Sequence, residues 1–251
     1  MDTDRFSRVF EVLELVVAHP EGLTLTEISR RLGLPTSSGH NLLQRMVGAG
    51  VLAVTEGPRY RVGGRAVRLG IRILDGLELR TVARRHLHEL SRSTGEDSYL
   101  AVPLGERVVY VDRVPGTRPV GVEMRLGQSL YLHATAVGKL FASHHEHLGA
   151  RLLAEPREQL TDHTLTDAAE LERELGRIRS DGHAISREEA VPGVVGLAVP
   201  VRDARGVVAA AVHIAALRAR LDAAREQALV AAASTTARAI ERELGRTEAS
   251  P

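Results

Sequence analysis

The chain has 251 residues, of which 26% are charged and 43% hydrophobic, and its formal net charge is +1. That length suits one or two domains with a real core, and the composition excludes collagen-like, low-complexity and wholly disordered chains. No apolar run approaches the roughly 20 residues that a membrane-spanning helix needs. The absence of cysteine excludes disulfides, thiolate metal sites and cysteine nucleophiles. Because the first five residues also lack the apolar core of a signal peptide, we expect a cytoplasmic protein.

The basic residues are almost all arginine, since Lys139 is the only lysine. Eight arginines lie between Thr24 and Arg72, against only two acidic residues, Glu27 and Glu56. Such local clustering is typical of a DNA-binding segment. The preference for arginine over lysine, taken alone, is explained by genomic base composition.

The first 50 residues predict three helices. Apolar residues recur at helical spacing from Arg5 to Ala18. Thr24 and Glu27 form a capping box that begins a short second helix, and Gly33 suits its C-terminal end. A third helix follows Pro35 and turns Leu42, Leu43 and Met46 inward. Two short helices across a tight turn predict a helix-turn-helix.

The opposite face of the third helix is rich in hydrogen-bonding side chains. Asn and Gln can pair with adenine and Arg with guanine, so this face is typical of a recognition helix, although an ordinary solvated helix face is the alternative. The residues predicted to contact DNA from this helix are Thr36, Ser37, His40, Asn41, Gln44 and Arg45.

A β-hairpin follows directly. Val51–Thr55 and Arg59–Val62 are β-like runs around Glu56-Gly57-Pro58. A hairpin at this place predicts the wing of a winged helix-turn-helix, and we expect Arg59 and Arg61 to contact phosphates.

The residues of this segment resemble those of a known family. Leu23-Thr24-Leu25-Thr26-Glu27-Ile28-Ser29-Arg30-Arg31-Leu32-Gly33-Leu34-Pro35, and later Tyr60-Arg61-Val62-Gly63, look like the head of the isocitrate-lyase-regulator (IclR-type) transcription factors. The resemblance implies a domain order of winged helix-turn-helix (1–64), helical linker (65–94) and effector-binding domain (95–251). It also implies dimerisation through the heads and the linker, where Leu69, Ile73 and Leu77 form an apolar seam; packing within one chain is the alternative.

From Gly95 onward the pattern is mixed α+β. Strands followed by helices, then strands followed by a helix, predict one antiparallel sheet flanked by helices. The expected strands are 97–102, 107–114, 119–126, 194–201 and 206–215, and the expected helices are 134–143, 167–180 and 217–244.

The C-terminal motifs resemble the same family over a long ordered series. Val109-Tyr110-Val111-Asp112-Arg113-Val114, Leu132-His133-Ala134-Thr135-Ala136-Val137-Gly138-Lys139 and Leu197-Ala198-Val199-Pro200-Val201 are among them. The resemblance implies a GAF-like domain that binds a small metabolite and transmits its binding to the DNA-binding head. The protein is then a transcriptional regulator; a metabolite-processing enzyme fused to a DNA-binding head is the alternative.

Strand alternation indicates where a ligand would sit. Residues 195–201 and 207–214 each carry a bulky face and a face of small residues, and His213 lies on the small one. Val208 belongs to the bulky face in this pattern. The small faces either line open volume or are closed over by helices. The effector-binding residues implied by the family are Pro119, Val122, Ala136, Val137, Ser186, Val194, Gly196, His213 and Ala215.

Other chemistry is not indicated, and we expect no catalytic residues, metal or cofactor. The cluster His144-His145-Glu146-His147 lacks the spacing of a zinc motif, and His133 is interpreted as a hydrogen-bonded structural histidine. A metal in the pocket, held by His133 or His213, is the alternative. The expected partners are double-stranded operator DNA, a small organic-acid or aromatic metabolite, and a second copy of the chain in a homodimer or a tetramer. Departures from the family at Gly39, Asn41, Tyr131, Ser186, Gly196 and His213 leave the operator and the effector open.

Overall fold

The computed structural model describes residues 3–55 and 57–247 and divides the chain into two compact units between Gly76 and Leu77. Glu56, at the predicted wing turn, and the terminal residues 1–2 and 248–251 lie outside the described residues. The division falls within the predicted linker, so its first helix belongs to the N-terminal unit and its second to the C-terminal unit. No helix in the described part of the chain has the length and apolarity needed to cross a bilayer.

The N-terminal unit is a winged helix-turn-helix. Its elements are α1 (Thr3–Val17), β1 (Leu23–Thr24), α2 (Leu25–Arg31), α3 (Thr36–Gly48), β2 (Leu52–Thr55), β3 (Arg59–Val62) and α4 (Gly64–Asp75). The strands form an antiparallel sheet in the order β1-β3-β2, so the predicted hairpin gains a short third strand. Val12, Ile28, Leu43 and Leu52 are fully or almost fully buried in its core.

The predicted capping box forms at the start of α2. The Thr24 hydroxyl accepts a hydrogen bond from the Glu27 amide, and the Glu27 carboxylate accepts one from the Thr24 amide at 2.8 Å. The hydrogen bond from the Thr24 amide is the main cause that lowers the pKa of Glu27. Gly33 ends the helix region with a φ of +62°, a conformation that glycine adopts without strain.

The C-terminal unit is a five-stranded antiparallel sheet between two helical layers. Its elements are α5 (Glu78–Thr94), β4 (Asp97–Leu104), β5 (Arg107–Val114), α6 (Ala136–His144), α7 (Glu146–Ala154), α8 (Ala168–Asp181), β6 (Ala184–Arg187), β7 (Val194–Arg202), β8 (Val208–Leu217) and α9 (Ala223–Thr247). The strand order is β5-β4-β8-β7-β6. This architecture confirms the predicted α+β fold with a GAF-like domain.

The two faces of this sheet differ as the alternation predicted. Val195, Leu197, Val199, Val212 and Ile214 pack against α5 and α9 in one core. The small residues Ala198, Ala211 and Ala215 pack against α6 in a second core, which α7 and α8 complete. We call the latter the small-residue face.

Two predictions about this sheet are wrong. Val208 lies in the core of the small-residue face, because a register shift near the start of β8 places one extra residue opposite Val201 and Arg202. Residues 119–126 form no strand. Their backbone groups bond to side chains instead of to a neighbouring strand: the Val122 amide donates to Asp97, and Tyr99 donates to the Val122 carbonyl. The strand β6 was not predicted.

Candidate DNA-binding face and ligand-binding face

The polar face of α3 is fully available to solvent. Gly39, Leu43 and Met46 are buried on the inner side of the helix, as its amphipathic pattern requires. The six residues predicted to contact DNA from this helix are all exposed: Thr36, Ser37, His40, Asn41, Gln44 and Arg45. The Arg45 side chain forms no ion pair or hydrogen bond with the residues that the structure describes, so its guanidinium is available to an external partner.

Gly39 explains how α2 and α3 pack so closely. A Cβ atom at this position would lie 2.4 Å from the Ser29 Oγ, so the hydroxyl of α2 occupies the space of the missing side chain. A β-branched residue here would force Ser29 to move. The recognition helix is therefore seated tightly against α2, and its outward face is held at a defined angle.

The wing arginines bond to the turn that precedes β1. Arg59 donates to the Gly22 carbonyl at 2.9 Å, and Arg61 donates to the Glu21 carbonyl at 3.1 Å. Arg59 is half-buried, whereas Arg61 is exposed. In this state, both guanidinium groups tie β3 to the turn.

The predicted effector residues fall into three groups on the C-terminal unit. Ser186, Gly196 and Ala215 are paired in register across β6, β7 and β8, and His213 lies two residues before Ala215 on β8, opposite Ala198. Ala136 and Val137 begin α6, which covers this face, while Val194 is half-buried at the start of β7. Pro119 is exposed and Val122 buried on the irregular segment 115–126, which we call the strap.

The small-residue face is closed and not an open cavity. A Cβ atom on Gly196 would lie 2.8 Å from the His213 Nε2 and 3.6 Å from the Ala136 Cβ. The imidazole therefore fills the space above Gly196, and α6 closes over it. Ser186 is also engaged, because its hydroxyl donates to the Ala134 carbonyl at 2.7 Å.

Tyr99 and Tyr110, which the sequence patterns did not assign to a site, also lie on this face and pack against His213. The rings of Tyr99 and Tyr110 lie 4.8 Å apart, and each lies within 6 Å of the His213 ring. The Tyr110 hydroxyl and the His213 Nδ1 are 3.1 Å apart in a buried hydrogen bond. The sequence does contain a signal for Tyr99. Strand alternation places it on the same face as Ala101, a small residue, and tyrosine is rare in this chain.

The charge state of His213 follows from this packing. Burial lowers the pKa of His213 from 6.5 to about 3, so the imidazole is neutral at physiological pH. Burial also raises the pKa of Tyr110 and of Tyr99, which keeps both hydroxyls protonated. The cluster can donate and accept hydrogen bonds, but it carries no charge.

The strap is held over the start of β4 by charged side chains. Asp97 accepts hydrogen bonds from the Val122 amide at 2.9 Å and from Arg113 at 3.0 Å. Arg118 pairs with Glu96 at 2.7 Å, and Arg220 donates to the Val120 carbonyl at 2.7 Å. Burial by itself would lower the pKa of Arg113, but its bonds with carboxylates, Asp97 foremost, outweigh this and raise it.

The histidines considered as metal ligands are bonded to backbone carbonyls. His133 is almost completely buried, and its Nε2 lies 2.8 Å from the Glu158 carbonyl. His145 makes the same kind of contact with Val208 at 2.8 Å. Across residues 3–55 and 57–247, no three His, Asp or Glu side chains come together as a metal site.

Comparison with known proteins decides the family. Residues 7–55 match the IclR helix-turn-helix domain, and residues 71–242 match the bacterial transcriptional regulator IclR C-terminal domain. The chain belongs to the IclR family. As an IclR-family member it is a DNA-binding transcriptional regulator and not an enzyme.

Relatives of known sequence and structure agree with this. The HTH-type transcriptional regulator BhcR of Paracoccus denitrificans is 33% identical over 236 residues, which are 93% of this chain and 84% of BhcR. An IclR transcriptional regulator from Alicyclobacillus acidocaldarius has a TM-score of 0.86 at 25% identity, covering 96% of this chain and 98% of that one.

A third relative has been crystallised with a small molecule. An IclR homologue from Microbacterium hydrocarbonoxydans, complexed with 4-hydroxybenzoate, has a TM-score of 0.86 at 27% identity, covering 96% of this chain and 99% of that one.

Proposed function

We propose that this IclR-family regulator reads its operator with α3 and that a small organic acid or aromatic metabolite controls its affinity for DNA. The observation that carries the proposal is the exposed polar face of α3 in a family of DNA-binding regulators. Asn41, Gln44 and Arg45 lie on this face with Thr36, Ser37 and His40. In this position their amide and guanidinium groups reach base edges in a major groove.

The wing adds affinity without sequence information. Arg61 is exposed at the end of β3, and its present partner is a neutral carbonyl. A phosphate forms a stronger, charge-assisted hydrogen bond and competes for the guanidinium. Arg59 makes the shorter bond and is less exposed, so its contact with phosphate requires a larger rearrangement.

The effector site lies on the small-residue face, between β7, β8, α6 and the strap. The 4-hydroxybenzoate complex of the Microbacterium homologue supports an organic effector in this family. Of the nine residues implied by the family resemblance, His213 belongs to the buried cluster with Tyr99 and Tyr110, and Gly196 packs against its ring. Because this face is closed, binding selects a conformation in which the strap or α6 has moved, and operator affinity changes through that population shift.

The regulator acts in the cytoplasm, where operator DNA is found, and acts as a homodimer or a tetramer. One recognition helix reads too few base pairs for useful specificity, so two heads on a repeated site are needed. The exposed apolar residues of α4, among them Leu69 and Ile73, supply a surface for a second copy.

Selection of duplexes from a random pool with the full chain tests the DNA-binding part. The selected sequence is then bound by the wild type and by the double variant Asn41→Ala/Gln44→Ala, with random DNA as reference. We expect discrimination to fall by ~1–3 kcal/mol for each bidentate hydrogen-bonded pair that the substitutions remove. Glu14→Gln, an exposed change on α1, is the control. Unchanged sequence preference in the double variant would show that α3 is not the reading helix.

Salt dependence separates the phosphate contact from base reading. Arg61→Ala is expected to weaken binding to selected and random DNA alike and to reduce the salt slope by about one unit. Loss of discrimination without a change of slope would place Arg61 on a base and not on a phosphate.

A further inference from the structure

Arg113 lies on the same face of the sheet as the proposed effector site. Arg113 pairs with Tyr99 across β5 and β4, Tyr99 pairs with His213 across β4 and β8, and His213 pairs with Ala198 across β8 and β7. Residues paired in register share a face, so this row runs along the small-residue face over four of the five strands. The guanidinium carbon of Arg113 lies 6.0 Å from the centre of the Tyr99 ring.

A carboxylate ligand on this face needs a cation that His213 does not supply. The imidazole is neutral and hydrogen-bonded to Tyr110, which is itself protonated. Arg113 is a permanent cation in the same row, and a guanidinium matches the planar geometry of a carboxylate. Its Nε is buried and has no hydrogen-bond partner among the described residues.

The two carboxylates that now contact Arg113 are held very differently. Asp97 has a 3% exposed side chain and is fixed by the amides of Gly116 and Val122 as well as by Arg113. Glu123 lies 2.6 Å from the Arg113 Nη1, but its side chain is 77% exposed. Glu123 can therefore leave for solvent at little cost, whereas Asp97 cannot.

Glu123 is also part of the strap. It follows Val122, whose amide and carbonyl bond to Asp97 and Tyr99, and it precedes Met124, whose amide bonds to the Tyr99 hydroxyl at 3.0 Å. The ion pair with Arg113 is thus one of the contacts that keep the strap against the small-residue face. Removing it weakens the strap at the point where it covers Tyr99.

We propose that Arg113 recognises the carboxylate of a small organic monoanion, which takes the place of the Glu123 carboxylate and so releases the strap. The exchange leaves the charge around Arg113 and Asp97 unchanged, because one carboxylate replaces another. A neutral ligand of the same shape cannot make this exchange without leaving Arg113 short of a counter-charge. The inference rests on the proposed function, since it names the ligand class and the regulation of that effector site.

Binding of simple carboxylates to the full chain tests this. Benzoate and acetate are the probes, and benzamide and acetamide are their uncharged counterparts. Affinity is measured by calorimetric titration, and release of the strap by hydrogen–deuterium exchange of residues 115–126. We expect the wild type to bind at least one of the two carboxylates saturably, in preference to its amide, with faster exchange in the strap.

Three variants separate the roles of the residues. Glu123→Gln removes the competing charge and is expected to bind the carboxylate about two- to fivefold more tightly, with faster strap exchange before any probe is added. Glu155→Gln breaks a comparable exposed pair with Arg151 elsewhere and is expected to behave as the wild type. Arg113→Gln is expected to bind carboxylate and amide equally. Its thermal melt shows whether this variant folds. If it does not fold, the comparison of Glu123→Gln with the wild type decides whether the carboxylate binds at Arg113.

The proposal is overturned if neither carboxylate binds the wild type, if Glu123→Gln and Glu155→Gln are indistinguishable, or if folded Arg113→Gln keeps its preference for the carboxylate. Binding of the selected duplex is measured on the same samples. If any of these results occurs while DNA binding is intact, only the proposed role of Arg113 is refuted. If the wild type binds no duplex selectively, the proposed function itself is refuted.

Discussion

At the level of single residues, the packing of the small-residue face depends on the complementary sizes of Gly196 and His213. Gly196 has no side chain where the His213 imidazole needs space, and Tyr110 holds the other side of that ring. The sequence pattern identified the small residues and the polar histidine among them. It did not show that the histidine and two tyrosines fill the space themselves, because strand alternation specifies the face of a residue but not what packs on it.

Adding one methyl group at Gly196 is expected to destabilise the fold. Gly196→Ala places a Cβ atom against the His213 ring, which Tyr110 prevents from retreating, and overpacking of this kind costs ~1–3 kcal/mol. In the His213→Ala background the same substitution is expected to cost little, because the ring is gone. Urea unfolding of the wild type, both single variants and the double variant measures the coupling. Additive effects would show that the two residues do not compete for space.

The buried neutral state of His213 predicts a pH dependence of stability. Its pKa falls from 6.5 in the unfolded chain to about 3 in the folded one, so between these values only the unfolded chain binds the proton. Stability therefore decreases as the pH falls below 6.5 and is independent of this group above it. From pH 7 to pH 5 the loss from this group is about 2 kcal/mol.

Urea unfolding between pH 4.5 and pH 8 measures this loss. In His213→Gln the free energy of unfolding is expected to depend less on pH, by about the same 2 kcal/mol, because glutamine does not titrate. His88→Gln, at an exposed position, controls for the removal of an imidazole as such. Superimposable profiles of wild type and His213→Gln would mean that the folded protein protonates His213 as readily as the unfolded chain.

At the scale of elements, local sequence signals succeed where the partner groups are close in the chain. The capping box of α2 is an example, since Thr24 and Glu27 are three residues apart. Thr24→Ala is expected to cost about 1 kcal/mol of stability and to speed amide exchange in α2, because the cap hydrogen bond is removed. Thr24→Ser keeps a hydroxyl and serves as the control. Equal exchange in both variants would show that the cap does not stabilise this helix.

The strap shows the opposite case. Residues 119–126 have strand-like composition, but the side chains of Asp97 and Tyr99, more than 20 residues earlier, take the hydrogen bonds that a neighbouring strand would have made. The bulge that moves Val208 between faces likewise depends on its pairing with β7. Neither outcome is encoded within the segment itself.

The helix α5 is tied to β5 through a buried carboxylate. Asp112 accepts two hydrogen bonds from Arg84, at 2.7 and 3.0 Å, and lies 3.6 Å from Arg80. Asp112→Ala is expected to destabilise the protein by about 2 kcal/mol and to increase amide exchange in α5. This energy is smaller than that of a fully buried ion pair, because Arg84 is half exposed.

A double-mutant cycle with Arg84→Ala checks this tie. We expect the double variant to cost less than the sum of the two single variants, because each removes the same ion pair. Strict additivity would show that the Arg84–Asp112 ion pair does not contribute to holding α5 against β5.

At the scale of the whole molecule, α4 exposes apolar side chains that a monomer does not need. Leu69 and Ile73 are 59% and 57% exposed on this helix. We predict a homodimer or tetramer in light scattering, and Leu69→Glu/Ile73→Glu is expected to shift it towards the mass of one chain. Arg72→Glu, on the polar side of the same helix, is the control. A wild type that is monomeric and still binds a single half-site tightly would contradict this prediction.

Sequence patterns were sufficient to predict the family, the winged head and the antiparallel sheet between helical layers. These follow from periodicity, caps and turn residues, which act over a few positions, and from motifs that keep their order along the chain. Three features could be seen only in the folded chain: the strap is not a strand, Val208 changes face, and Tyr99, Tyr110 and His213 close the small-residue face. Each depends on groups far apart in the chain that become neighbours only once the strands have paired, and no local pattern carries that information.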